Sequence, residues 1–252
     1  MARPRLYRTE AVILKRVDFG EADKIITFYT PHLGKLRAIA KGVRRPVSKL
    51  GGHVELFTHS HMLLAKGRNL DIVTQSETIH SYIGLRNDLT RVALACYAAE
   101  MLDRLTEEGA ENYAMFELLV ETLDRLAVAR EPEMALRVFE VRLLGHAGFR
   151  PELHRCLGCQ ATVGPDGNFF SALAGGILCP RCGSIDPSAH PLSANAFKLL
   201  RLLQGGDYAL ASRLRLSGDL RGELEGLLQG YTHYVLEREL KSGAILRSLR
   251  PA

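Results

Sequence analysis

Two cysteine knuckles limit how this chain can fold more than anything else in it: Cys156-Leu-Gly-Cys159, then nineteen residues, then Cys179-Pro-Arg-Cys182. A Cys-x-x-Cys turn presents two sulfurs to one side, and two such turns complete a tetrahedron, so the spacing points to zinc. Gly158 and Gly183 help the tight turns. Disulfides are the alternative, but a reducing compartment disfavours them, and a redox-active pair needs a βαβ setting that is missing here. Catalytic zinc usually keeps one position open for water, whereas four thiolates fill the sphere. One structural Zn2+ on Cys156, Cys159, Cys179 and Cys182 is therefore expected, folding a stretch rich in Gly, Pro and Cys that buries no core of its own. His154 and His190 flank the site, but four correctly spaced cysteines leave them no place in it.

Hydrophobic periodicity divides the rest. Arg8–Val17, Lys24–Thr30, Leu36–Ala40, Val54–Ala65 and Asp71–Ile79 are alternating or β-branched runs separated by Gly- and Asp-containing turns. Five strands in so short a span predict a small barrel such as the OB-fold. After Ile79 the period changes: Leu85, Leu89, Val92, Cys96, Ala99 and Leu102 step by three and four along one helical stripe, where Cys96 reads as a small core residue. A second helix is predicted from about Glu111 to Ala129, a third from Pro132 to Gly145–Gly148, and more behind Ser193 as an N-cap. The expected fold class is α+β multidomain: an N-terminal OB-fold β-barrel over residues 1–80, then an α-helical domain over residues 81–252 with a four-cysteine zinc finger inserted at about 150–190.

Charge follows the same division. Residues 1–80 hold 14 Lys+Arg against 7 Asp+Glu, a net of +7, whereas the remaining 172 hold 19 against 21, a net of −2. Between Asp23 and Glu55 no acid occurs, yet Lys24, Lys35, Arg37, Lys41, Arg44, Arg45 and Lys49 all do. Strand alternation puts Lys35, Arg37, Ile39 and Lys41 on one face, and the Gly42-Val43-Arg44-Arg45-Pro46 loop extends the cationic stripe. A solvated strand face is the bland reading, but the local absence of acids, the excess over the whole barrel and the barrel pattern agree on a phosphate-binding surface. Lys35, Arg37, Lys41, Arg44, Arg45 and Lys49 are the expected contacts. With no Trp, and with Tyr7, Phe19, Phe28, Tyr29 and Phe57 as the aromatics of residues 1–80, the grip is expected mostly on the nucleic-acid backbone, leaving bases free to pair. His53, His59 and His61 read as barrel-surface residues, and Gly20-Glu21-Ala22-Asp23 as a turn. No Walker loop, G-x-S-x-G or H-E-x-x-H motif is present, and no catalytic residue is assigned. No apolar run reaches the ~18 residues of a membrane span, and no signal peptide is read at the start, so a cytoplasmic, nucleoid-associated location is expected.

These residues resemble a known family. Gly20-Glu21-Ala22-Asp23-Lys24, Thr30, Gly34-Lys35-Leu36, Ala40-Lys41-Gly42-Val43-Arg44-Arg45-Pro46, Ser48 and Gly51-Gly52 look like the N-terminal signature of the RecO family of bacterial recombination mediators. Gly148-Phe149-Arg150-Pro151-Glu152-Leu153, leading to Cys156-x-x-Cys159, looks like the same family's approach to its zinc element. The resemblance implies binding of single- and double-stranded DNA, annealing of complementary strands, and help in loading recombinase onto DNA coated by single-strand-binding protein, without nucleotide hydrolysis. It also implies RecR and the acidic C-terminal tail of single-strand-binding protein as partners. The sequence places no pocket for that tail; Arg213, Arg215, Arg221, Arg238, Lys241 and Arg247 are cations available to it on the helical part, with an ordinary solvated helix surface the equal alternative for each. Two other readings compete. An RNA-binding factor would also join a barrel to a zinc element, and a zinc hydrolase would need the open coordination position that four thiolates deny it.

Overall fold

The structure is a computed structural model that describes residues 5–249. Its chain divides into two compact units, one running to Val128 and one from Ala129 to Ser248.

In the first unit five strands close into a barrel: β1 (Leu6–Phe19), β2 (Asp23–Thr30), β3 (Gly34–Ala40), β4 (His59–Ala65) and β5 (Asp71–His80), in the order β1-β2-β3-β5-β4. β1 pairs with both β2 and β4, and β3 meets β5 in parallel at Ala38–Asp71 and Ile39–Ile72. Period-2 alternation fills the interior with Ala11, Ile13, Ile26, Phe28, Ala38, Ala40, Met62, Leu64 and Val73, all essentially without solvent contact. The hairpin between β2 and β3 depends on Gly34, whose φ is +61° and whose Cβ position lies 2.0 Å from the carbonyl oxygen of Ala110, so no side chain fits there. The fourth strand starts later than expected. Residues Gly51–Val54 form a 3-10 turn, and Phe57 takes a left-handed conformation at φ 67°, which breaks the extended run before His59.

Helices follow β5 within the same unit: α1 (Ile83–Arg86), α2 (Leu89–Leu105) and α3 (Tyr113–Val128). The first expected helix is in fact two, because Asp88 accepts the Arg91 N–H at 3.0 Å and starts α2 afresh. The expected stripe is largely the buried one: Leu85, Ala99 and Leu102 are buried, and Val92 and Cys96 are half-buried. Of its residues Leu89 alone is exposed, at 67%, and Leu94, Ala95, Ala98 and Met101, which lie off the stripe, are buried as well. Alanines that allow close packing carry little hydrophobic signal, so the buried face is wider than the periodicity shows.

The second unit is built around α4 (Pro132–His146), which has ten buried residues and no solvent-facing stripe, as a central helix must. Against it pack α6 (Ala194–Gly205), α7 (Tyr208–Ala211) and α8 (Gly218–Leu236), and α9 (Lys241–Ser248) closes the unit. Ser193 caps α6 as expected, accepting the Ala196 N–H at 3.1 Å. Between α4 and α6 comes the insert, with β6 (Phe169–Ser171), β7 (Gly176–Leu178), the single turn α5 (Pro180–Gly183) and β8 (Ala189–Pro191), β6 being the middle strand of a small sheet. No helix among the described residues is long and apolar enough to cross a membrane.

Candidate metal centre and nucleic-acid interface

The first knuckle is a tight turn: Gln160, at φ 62°, donates its N–H to the Cys156 carbonyl at 2.7 Å. The second sits at the start of α5, where the Gly183 N–H returns to the Cys179 carbonyl at 2.8 Å. Gly158 lets the two knuckles meet, since a Cβ there would stand 3.0 Å from the Cys182 sulfur. All four sulfurs lie within 4.8 Å of one another, and those of Cys159 and Cys179 are 3.8 Å apart. Ligands ~2.3 Å from a tetrahedral zinc stand ~3.8 Å from each other, so the cage has the right size.

The acid–base chemistry also fits a cation. Burial raises the Cys156 thiol, but N–H groups of Cys179, Cys159 and Gly158 directed at its sulfur bring it down to about 6. Cys182, sharing hydrogen bonds with Cys179 and its other neighbours, goes up to about 12. Four thiols this close cannot all ionise unless a positive ion sits among them, and a bound metal supplies it. The sulfurs of Cys159 and Cys182 raise the pKa of the neighbouring Arg181, whose charge balances part of theirs, a role the sequence signals only by its place inside the second knuckle. His154 is elsewhere engaged, its Nδ1 2.8 Å from the Arg201 guanidinium. Among the described residues these four cysteines are the one group arranged to hold a metal ion.

On the barrel, the turn between β1 and β2 and the loop after β3 hold each other. The Gly42 N–H donates to Asp23 Oδ1 at 2.7 Å, the Arg44 N–H to the Ala22 carbonyl at 2.9 Å, and Asp18 pairs with Lys24 at 2.5 Å and Arg44 at 3.5 Å. Asp18 and Asp23 thus act as a clasp that fixes the basic loop. Lys41, Arg44, Arg45 and Lys49 are exposed on that loop, and Arg37 is exposed on β3 with a water-screened pair to Glu108 at 3.4 Å.

Lys35 requires a correction. It lies on the outer face as alternation demands, but α2 ends over it. Its ammonium donates to the carbonyl oxygens of Asp103 and Thr106 and pairs with the Asp103 carboxylate at 3.0 Å, with its side chain 11% exposed. It serves as a clamp on the C-terminus of a helix and is not free to take a phosphate.

The histidines also differ from expectation. His59 is buried with its Nε2 2.6 Å from Glu10, while His53 bonds Thr78 at 2.7 Å and, of the three, His61 alone is exposed. Burial lowers the His59 pKa against the opposing pull of Glu10. Of the aromatics, Phe28, Tyr29 and Phe57 are core residues, Tyr7 is tied to Asp71 at 2.6 Å, and Phe19 is 48% exposed. Arg221 in α8 pairs with Glu131 and Glu133 and is likewise occupied.

An OB-like barrel with a cationic rim, followed by helices carrying an inserted four-cysteine element, defines the class: an α+β multidomain protein with a metal-binding insert. Comparison with known proteins gives the family. The family model described as Recombination protein O N terminal matches residues 1–82, and Recombination protein O C terminal matches residues 86–244. The DNA repair protein RecO of Roseiflexus sp. (strain RS-1) is 46% identical over 248 residues, covering 98% of this chain and 87% of its own. That of Dehalococcoides mccartyi (strain CBDB1) is 38% identical over 252 residues, covering 100% and 99%, and that of Symbiobacterium thermophilum is 38% identical over 250 residues, covering 98% and 99%. The chain belongs to the RecO family of DNA repair proteins, and its role lies in DNA repair and recombination.

Proposed function

We propose that this protein is a non-catalytic recombination mediator that grips single- and double-stranded DNA chiefly by the phosphodiester backbone, anneals complementary strands, and assists recombinase loading onto DNA coated by single-strand-binding protein. The observation that carries this reading is the clasped loop. Lys41, Arg45 and Lys49 stand in solvent with no acid paired to them among the described residues, on a segment fixed at its start by Asp23 and Ala22. Fixed cations facing water are suited to a polyanion, because little of their freedom is lost on binding. Arg37 and Arg44 complete the contact set, each held by an exposed acid that a phosphate displaces at small cost. Such contacts neutralise one strand and lower its repulsion from a second while most base edges remain free.

The metal of the four cysteines is Zn2+, one per chain, and it serves to fold the insert. RecR and the acidic C-terminal tail of single-strand-binding protein are the proposed partners, and the protein works in the cytoplasm at the nucleoid. The test is a strand-annealing assay using complementary oligonucleotides, with and without single-strand-binding protein. Acceleration in both conditions is expected. DNA binding without acceleration of annealing would reduce the protein to a DNA binder and refute the mediator reading.

A further inference from the structure

The outer face of the barrel carries a feature that phosphate binding leaves unused. Cross-strand register places Val17 opposite Ile25, Ile25 opposite Ile39, and Ile39 opposite Ile72, so four β-branched side chains line up across β1, β2, β3 and β5. Their alternation partners, among them Ile26, Ala38, Ala40 and Val73, fill the barrel, which puts the row on the outside. Packing helices do not bury it: Val17 is 49% exposed and the three isoleucines are half-buried. On the same strand face, two residues beyond Val17, stands Phe19, the exposed aromatic of the barrel at 48%.

Cations border this row. The neighbouring register is Lys15–Thr27–Arg37, with both charged residues exposed, and Lys41 and Arg44 lie past the other end of β3. Of the nearby acids, Asp23 is engaged by the Gly42 N–H and Asp18 by Lys24 and Arg44, while Glu21 in the turn beyond Phe19 is exposed. An apolar row edged by cations is complementary to a polymer with apolar flat groups on an anionic chain.

We infer that Val17, Ile25, Ile39 and Ile72, extended by Phe19, form a base-contacting strip for single-stranded nucleic acid. Its three strand spacings span about 14 Å, the length of about four stacked nucleotides. Bases on it are held by their faces, so the strip tolerates any sequence, and it discriminates against duplex, whose base faces are already stacked. Only this short stretch of a bound strand is engaged at a time, and the remainder stays free to pair. The inference rests on the DNA-binding reading above and goes beyond it by assigning a second, uncharged component to the grip.

The experiment compares binding of a fluorescent oligothymidylate with binding of an abasic chain of the same length and charge. The wild-type protein is expected to hold oligothymidylate tighter by about five-fold or more. In V17T/F19A, whose side chains are about half exposed and contribute little to the core, that preference falls below about two-fold while affinity for the abasic chain is unchanged. In K41E/R45E both affinities fall by the same factor. Equal wild-type affinity for the two chains would overturn the strip and leave phosphate binding standing. Affinity for neither would overturn both.

Discussion

Lys35 shows how one side chain changes meaning with its surroundings. Its ammonium satisfies the last carbonyls of α2 and the Asp103 carboxylate, so removing it leaves acceptors at a covered helix end without their charged donor. Lys35→Ala is expected to lower stability by ~1–3 kcal/mol in urea melts while leaving the salt dependence of DNA binding unchanged. Lys49→Ala should do the reverse, since Lys49 is exposed and has no acid paired to it among the described residues. A second residue-scale prediction concerns pH. Burial holds the His59 pKa below its ordinary value of 6.5, so as pH falls past ~6.5 the unfolded chain takes up a proton that the folded one refuses. Stability is therefore full above that point and is lost progressively down to the folded pKa. His146 in the second unit, lowered by burial and by Arg142, acts in the same direction. Urea midpoints should fall between pH 7.5 and pH 5.5, and His59→Gln should flatten part of the decline. A midpoint that rises on acidification would contradict the buried neutral imidazole.

Among the elements, the insert depends most on one interaction. Its three strands are three residues each, too short to persist without the knuckles that join them. Metal binding worth ~10–16 kcal/mol in comparable peptides is ample to order it. Denaturing release is expected to yield one zinc per chain, and Cys179→Ser should lose the zinc and melt the insert while oligonucleotide binding by the barrel persists. Retained metal would contradict the four-thiolate site. This element was legible from the sequence because ligand spacing is a local property, and so was Ser193 as a cap. The barrel strands were legible for the same reason, through alternation that needs only neighbours. The start of β4 was not, because the left-handed turn at Phe57 is imposed by packing on a residue type that gives no warning. The burial of Lys35 and His59 was equally hidden. Alternation assigns a side chain to the outside of a barrel, but only the folded chain decides whether α2 and α3 cover that outside.

Across the whole molecule, charge is divided between the two parts of the chain, with the positive excess on the barrel residues and the rest close to neutral. With Lys35 withdrawn, five cations remain for phosphate contact: Arg37, Lys41, Arg44, Arg45 and Lys49. Each phosphate neutralised on a single strand contributes ~0.7 to the slope of log affinity against log salt, so the five together predict a slope of about −3.5. The base strip adds affinity without adding to that slope, which keeps the two components separable. The most direct measurement is therefore a salt titration of oligonucleotide binding by the wild-type protein and by Lys41→Ala/Arg45→Ala/Lys49→Ala. A slope near −3.5 that falls to about −1.4 in the variant is expected, with stability unchanged. A variant that kept the wild-type slope would contradict the assignment of the clasped loop as the DNA grip.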